Sequence, residues 1–237
     1  MTANVTTLDL PVLLRGEADG LRFGIEEFKG RQLGLYVGVI VLGAGAFGAA
    51  MGCWRAPMQA LYTALKLPLA ILLTTLGNAL LNALIAPLFG LNLRFHQTVL
   101  AVLMSGTIAC AVLGAFSPLL FFVIWNTPTN VSQATSVAYN AVQVLEVLII
   151  AFAGIAANVR LLQLLTRYSA QRISALKVLF AWLAGNLILG TQLCWIMRPF
   201  IGSPGLPVQF FRPDAFRGNF FEAVWWSLSR IFEQGKL

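Results

Sequence analysis

The sequence predicts an all-α protein, a polytopic transmembrane helix bundle of five spans with a C-terminal amphipathic interfacial helix. Three observations predict it. Of 237 residues, 58% are hydrophobic and only 11% are charged, whereas a soluble domain carries about 25% charged residues. The mean hydropathy is +0.79. The apolar residues gather into five runs, opening near Gly34, Leu67, Thr98, Val137 and Ala175, each long enough to cross a hydrocarbon layer of about 30 Å. The short alternating segments of a membrane barrel are missing. The chain therefore divides into a cytoplasmic lead (1–31), the five-span bundle (32–197) and an extracytoplasmic Pro-rich segment with an amphipathic helix (198–237).

The lead is polar and mixed in charge, without the basic-then-apolar pattern of a cleaved signal. It reads either as a solvated tail or as a short interfacial helix offering Leu21, Phe23, Ile25 and Phe28 to the membrane. The first span, Gly34 to Gly52, carries two small-xxx-small pairs, Gly34 with Gly38 and Gly48 with Gly52. Such ridges let helices approach closely in lipid, where packing holds them together. They predict a helix-packing seam, between two copies or, as the favoured reading, against the second span.

The second span follows an interfacial stretch, Cys53 to Lys66, with Trp54 and Tyr62 suited to headgroup level and Pro57 suited to the start of a helix whose embedded part opens near Pro68. Within its apolar run Thr74, Asn78 and Asn82 are spaced by four, which makes one polar line on a helix. A side-chain amide without a partner in hydrocarbon costs several kcal/mol, so this line must face protein. The short loop 90–97 makes the third span, Thr98 to Trp125, an antiparallel neighbour; Ser117–Pro118 is expected to kink it. His96, the one histidine, stands at its entrance and reads as an interfacial hydrogen bonder rather than a ligand.

The fourth span, about Val137 to Ala157, is the most polar. Tyr139, Asn140, Gln143 and Glu146 recur at helical spacing, and Gly154, Ala157 and Asn158 extend the face. Glu146 is the one acidic residue in any span, and an ionisable group at depth is a functional hypothesis. The competing reading makes it a protonated or paired lock between helices, and the two stay open. Together Glu146, Gln143, Asn140, Asn78, Asn82 and Thr74 form the candidate intramembrane polar cluster. Asn158 to Lys177 is read as one basic connection and the fifth span as Ala175 to Met197. The prolines at 199, 204, 207 and 213 forbid a continuous helix beyond it. Residues 221–237 place Phe221, Val224, Trp225 and Leu228 on one face, as an interfacial helix does.

Basic residues set the orientation. Close to the span ends, Lys29, Arg31, Arg94, Arg160, Arg167, Arg172 and Lys177 fall on one side, against Arg55, Lys66 and Arg198 on the other. The amino terminus is thus expected in the cytoplasm and the carboxy terminus outside. The net charge of +7 and pI near 9.8 are spread over several loops without a basic stripe, which fits lipid headgroups and not nucleic acid. Cys53, Cys110 and Cys194 lack metal-ligand spacing and act as small hydrophobes.

The stretch ALKLPLAILLTTLGNALLNALIAPLFG followed by LRFHQTVLAVLMSGTIACAVLG, residues 64–114, resembles the Yip1-type family of five-span membrane proteins, bacterial members included. The likeness lies in a leucine-rich span, a Gly-ended loop and Phe-x-Gln opening the next span. It implies a non-catalytic membrane-organising role in a cell membrane, expected to be the bacterial inner membrane, and supplies no site residues. The tail from Arg198 and the Glu146 face depart from it.

The chain shows no phosphate loop, no HExxH, no nucleophile–histidine–acid set and no paired carboxylates, so no catalytic, cofactor-binding or metal-binding residue is assigned. The expected function is that of a non-catalytic accessory or scaffold subunit, with the bilayer and other integral membrane subunits as partners. The alternative is a transporter or permease subunit with a polar path around Glu146. Internal repeats, frequent in transporters, are not evident.

Overall fold

A computed structural model describes residues 10–15, 25, 30–91, 93–127, 133–169, 171–202 and 207–225, leaving the side chains of 12 and 133–139 aside. The helices are α1 (Leu10–Arg15), α2 (Gly30–Cys53), α3 (Pro57–Leu88), α4 (Phe95–Trp125), α5 (Gln133–Tyr168) and α6 (Arg172–Met197). Helices α2 to α6 each contain a stretch long and apolar enough to cross a membrane. The protein is an all-α, five-span bundle.

Neighbours alternate in direction. Gly45, Gly48 and Gly52 of α2 meet Ala64, Thr63 and Gln59–Ala60 of α3 in descending order, which is an antiparallel pair. Helices α2 and α4 run the same way, with the Tyr36 carbonyl at Thr107 and Gly43 wedged against Cys110 and Gly114. Helix α2 packs most extensively on α3 and α4; α3 also backs onto α6, α4 onto α5, and the α5–α6 seam is slighter. We call the end bearing Arg31, Arg94, Arg167 and Arg172 the basic end, and the opposite one the tail end.

The glycines explain the tightest contact. A Cβ on Gly52 would lie 2.5 Å from the Gln59 carbonyl oxygen and 2.6 Å from Ala60 Cα; one on Gly48 would lie 2.6 Å from the Thr63 oxygen. Gly34 and Gly38 have nothing within 4 Å of that position. The reason is angular: Gln32, Tyr36 and Ile40 occupy the buried face, and a residue two positions away lies about 200° round the helix. The close approach to α4 instead falls to Gly43 and Gly114.

Two boundaries differ from the sequence reading. The interfacial stretch is continuous with the second span: Pro57 opens α3, as its position suggested, and the helix runs on for 32 residues, about 48 Å, so it begins ten residues ahead of the apolar run. Likewise Asn158–Lys177 is mostly helix: α5 continues to Tyr168, and only 169–171 separate it from α6. No Gly or Pro interrupts 158–168, so good helix formers such as Arg, Leu and Gln carry α5 past the bilayer. In α4, Pro118 cannot donate to the Gly114 carbonyl, and the Ser117 hydroxyl donates to it instead at 2.7 Å.

Both ends of the bundle are closed by the chain itself. At the basic end Leu13 and Ile25 are fully buried in the core with Leu91, Leu161 and Leu165, and Arg160 Nη2 donates to the Leu14 carbonyl at 3.0 Å. Ile25 therefore faces protein rather than the membrane, since this pocket between helix ends removes it wholly from solvent. Leu21, Phe23 and Phe28 lie outside the described residues.

At the tail end the chain leaves α6 and turns back onto α3. Gln59 Nε2 donates to the carbonyls of Phe200 (2.7 Å) and Pro199 (3.0 Å). The Thr63 hydroxyl donates to Phe200 (2.6 Å) and Lys66 Nζ to Pro199 (2.9 Å). Lys66 does not snorkel: it is fully buried. Its ammonium sits 4.9 Å from the Phe210 ring centroid, with Phe211 and Tyr62 at 5.9 and 6.0 Å, an aromatic surround that favours a cation. Further along, Arg198 stacks 3.7 Å over the Trp195 ring and pairs with Asp214 at 3.1 Å. The Phe220 N–H donates to Gln192 Oε1 at 3.3 Å. Irregular backbone is tolerated at such depth only where protein satisfies it, and here three side chains of one α3 face do so. A helix starts at residue 220 and is described to 225, with Phe221 and Trp225 exposed; the remainder of the amphipathic stretch lies outside the described residues.

Candidate functional site

Helices α3, α4, α5 and α6 enclose a cavity of about 300 Å³. It owes its place to the polar line of α3. Thr74, Asn78 and Asn82 all border it, and so do Ser105 and Gly106 of α4, Gly154 and Asn158 of α5, and Trp182, Asn186 and Gly190 of α6. The depths match. From the basic end, Ser105, Asn158 and Trp182 each stand ten residues into their helices and Asn78 stands ten from the end of α3, about 15 Å in each case.

The wall is mostly apolar, with uncharged polar groups at a few positions and no charged side chain. Asn78 is fully buried and donates from Nδ2 to the Trp182 carbonyl at 3.3 Å. Gly185 makes room for that amide, since a Cβ there would stand 2.5 Å from Asn78 Oδ1. Asn158 Nδ2 bonds back to Gly154 of its own helix at 2.7 Å. Asn82 is also fully buried, and neither its oxygen nor its nitrogen meets a protein partner. The same holds for Asn78 Oδ1 and the Trp182 indole N–H. Two acceptors and two donors are thus left unpaired within the bundle, each costing about 1–3 kcal/mol if it stays so.

The cavity continues sideways. Asn186, Gly190 and Cys194 belong both to its wall and to a groove of about 510 Å³ that also touches Leu187, Trp195 and Phe220. Leu187 is 61% exposed, so this groove opens on the outward side of α6, beneath Phe220.

The six residues expected to form one polar cluster do not come together. Thr74, Asn78 and Asn82 line the cavity; Glu146, Gln143 and Asn140 do not. Glu146 lies twelve residues before Asn158 on α5, about 18 Å nearer the tail end at 1.5 Å per residue. There it is 2% exposed, between Val142 and Ile149, which pack in an apolar cluster with Phe47, Met51 and Trp54 of the α2 end. Its Oε1 has no hydrogen-bond partner. Asn140 is exposed and Gln143 half-buried. On α5 the wall takes its residues from Gly154 to Leu161, whereas Asn140, Gln143 and Glu146 stand eight or more residues nearer the tail end of the same helix. The partners that the cavity does recruit, Asn158, Asn186 and Trp182, were visible as polar or amphipathic residues ten to fourteen positions from the basic helix ends. The signal that unites them is depth from those ends.

His96 lies half-buried in the first turn of α4, away from the cavity wall. The helix start there is held by Gln97, whose Oε1 accepts from the Arg94 N–H at 2.9 Å. Among the described residues no three His, Cys, Asp or Glu side chains gather as a metal centre would require. The cavity holds groups that donate and accept hydrogen bonds, with no acid–base pair beside them. Compared with protein families, with curated proteins and with solved structures, the chain matches no family model, no curated protein and no solved structure.

Proposed function

We propose that this five-span integral membrane protein acts without catalysis of its own, as an accessory subunit of a larger membrane assembly that binds a small group in the α3–α6 cavity. The observation that carries this reading is the cavity wall: amides, hydroxyls and an indole, unpaired at four atoms and lacking a charged group. Such a wall binds; it has no titrating pair with which to move protons. The closed ends support the same reading. Leu13 and Ile25 fill the basic end and the Pro199–Phe200 segment is bonded to α3 at the tail end, so the way in is lateral and not through the bundle. The permease reading draws its path past Glu146, which is not among the cavity's wall residues and stands about 18 Å along α5 from Asn158.

The likeness of residues 64–114 to Yip1-type proteins agrees with a membrane-organising role. The host is a cell membrane, the inner one if the host is bacterial. A cytoplasmic amino terminus is part of the same proposal; its support is the seven basic side chains, Arg15, Arg31, Arg94, Arg160, Arg167, Arg172 and Lys177, toward that end.

Extraction of the tagged protein in mild detergent from its native host tests the proposal. The expected result is one or more integral membrane proteins recovered in constant ratio with it. Recovery of the protein alone, together with solute flux in proteoliposomes that Glu146→Gln abolishes, returns the permease reading.

A further inference from the structure

The cavity's chemistry is specific enough to name a class of ligand. Three residues that border the cavity, Asn78, Asn82 and Trp182, hold two acceptors, Asn78 Oδ1 and Asn82 Oδ1, and two donors, Asn82 Nδ2 and Trp182 Nε1, all buried and none paired within the protein. A group that only accepts, or only donates, leaves half of them unmet. A group that does both meets all four, as an alcohol beside an ester or an amide does. Charge is excluded on the same grounds. The cavity wall carries no Lys, Arg, Asp, Glu or His, and an ionised head moved there would lose its hydration without a counter-charge.

The route of entry sets the rest of the molecule. The wall residues Asn186, Gly190 and Cys194 continue into the groove on α6, past Leu187 and Trp195 to Phe220. That groove presents mostly apolar surface, with Arg198 at its tail-end rim already held by Trp195 and Asp214. A head seated on Asn78 and Asn82 places its tail along this groove without crossing either closed end.

We propose that the cavity binds the uncharged head of a membrane amphiphile that both donates and accepts hydrogen bonds, of the diacylglycerol type, entering from the bilayer along the groove on α6. This rests on the reading of the cavity as a binding chamber, but it is independent of any partner subunit.

The test uses the full chain in detergent micelles, native mass spectrometry and three probes with identical dioleoyl tails. Dioleoylglycerol has a free hydroxyl, its 3-acetyl derivative has none, and dioleoyl phosphatidate carries charge. The expected result is a one-to-one adduct with dioleoylglycerol, at least tenfold weaker for the other two. Asn82→Leu should weaken the dioleoylglycerol adduct at least tenfold. Gly190→Leu should do the same by filling the lateral mouth, with the asparagines untouched. Glu146→Gln should leave the adduct unchanged. Equal adducts for the three lipids, or retention of dioleoylglycerol by both Asn82→Leu and Gly190→Leu in folded protein, overturns the proposal. If the adduct forms as expected while the protein extracted from its host comes alone, the subunit assignment fails and the ligand assignment stands.

Discussion

At the residue scale the chain separates groups that look alike in the sequence. Gly34–Gly38 and Gly48–Gly52 have the same spacing, yet only the second pair lies against a neighbouring backbone. Gly52→Ala should therefore destabilise the bundle by about 1–3 kcal/mol through overpacking against Gln59 and Ala60. Gly34→Ala, with open space around it, should leave stability unchanged or raise it by up to about 1 kcal/mol, the helix-propensity gain of Ala over Gly. Thermal midpoints of the two variants in the same detergent decide the matter; equal shifts would mean that the close approach of α2 and α3 is wrong. The same scale shows what the sequence could not say of Glu146. Its burial was legible from hydropathy, but its neighbours were not, because they come from the end of α2 and the far half of α4. Asn78 and Asn82 were legible as residues that must face protein, since no helix in lipid leaves two amides outward.

Elements were read well wherever apolar length alone decides, and less well at their ends. All five spans were evident as runs, because about twenty apolar residues have few other uses. Their limits shifted outward by up to a dozen residues, since helix formation does not stop where hydrocarbon does. The return of the tail onto α3 was not legible at all. Gln59, Thr63 and Lys66 fall on one face at steps of four and three, which signals a polar stripe but not what fills it. The consequence is testable at this scale. Lys66→Met keeps the apolar stem and removes the donor to the Pro199 carbonyl, leaving a buried acceptor short of its charge-assisted bond at a cost of about 1–3 kcal/mol. Hydrogen exchange at the Phe200 to Gly202 amides should speed by roughly ten- to a hundredfold, the same energy range expressed as a local opening equilibrium, while α4 amides stay protected. Unchanged exchange at Phe200 to Gly202 would mean that the segment is held by other contacts.

The whole molecule is a ring of α3, α4, α5 and α6 around a cavity, with α2 laid over the α3–α4 side and each end closed by a terminal segment. The basic side chains bias one end, and this yields a prediction about the intact cell. In a variant with Cys53, Cys110 and Cys194 replaced by Ala, a cysteine at Phe95 or at Trp125 probes opposite ends, both positions being exposed. A membrane-impermeant maleimide should label the Trp125→Cys protein in whole cells and reach Phe95→Cys only after lysis; the reverse pattern would invert the topology. How the helices pair could not be read from any single segment. It follows from where small residues permit contact, Gly43 with Gly114 and Gly185 with Asn78, and these are properties of pairs.

The strap across α3 also imposes an order on assembly. Lys66 is synthesised well over a hundred residues ahead of the carbonyl that accepts its hydrogen bond. Throughout that interval the Gln59 amide and Thr63 hydroxyl have only each other and their own helix to meet them, and the Lys66 ammonium lacks the carbonyl it ends on. The helix must wait high in the interface, with its polar stripe wet. It can settle to its final depth only when the last span has been delivered and the chain beyond Met197 has turned back. The carboxy-terminal segment, dispensable by its composition, is then the piece whose arrival lets the second helix of the bundle finish its insertion.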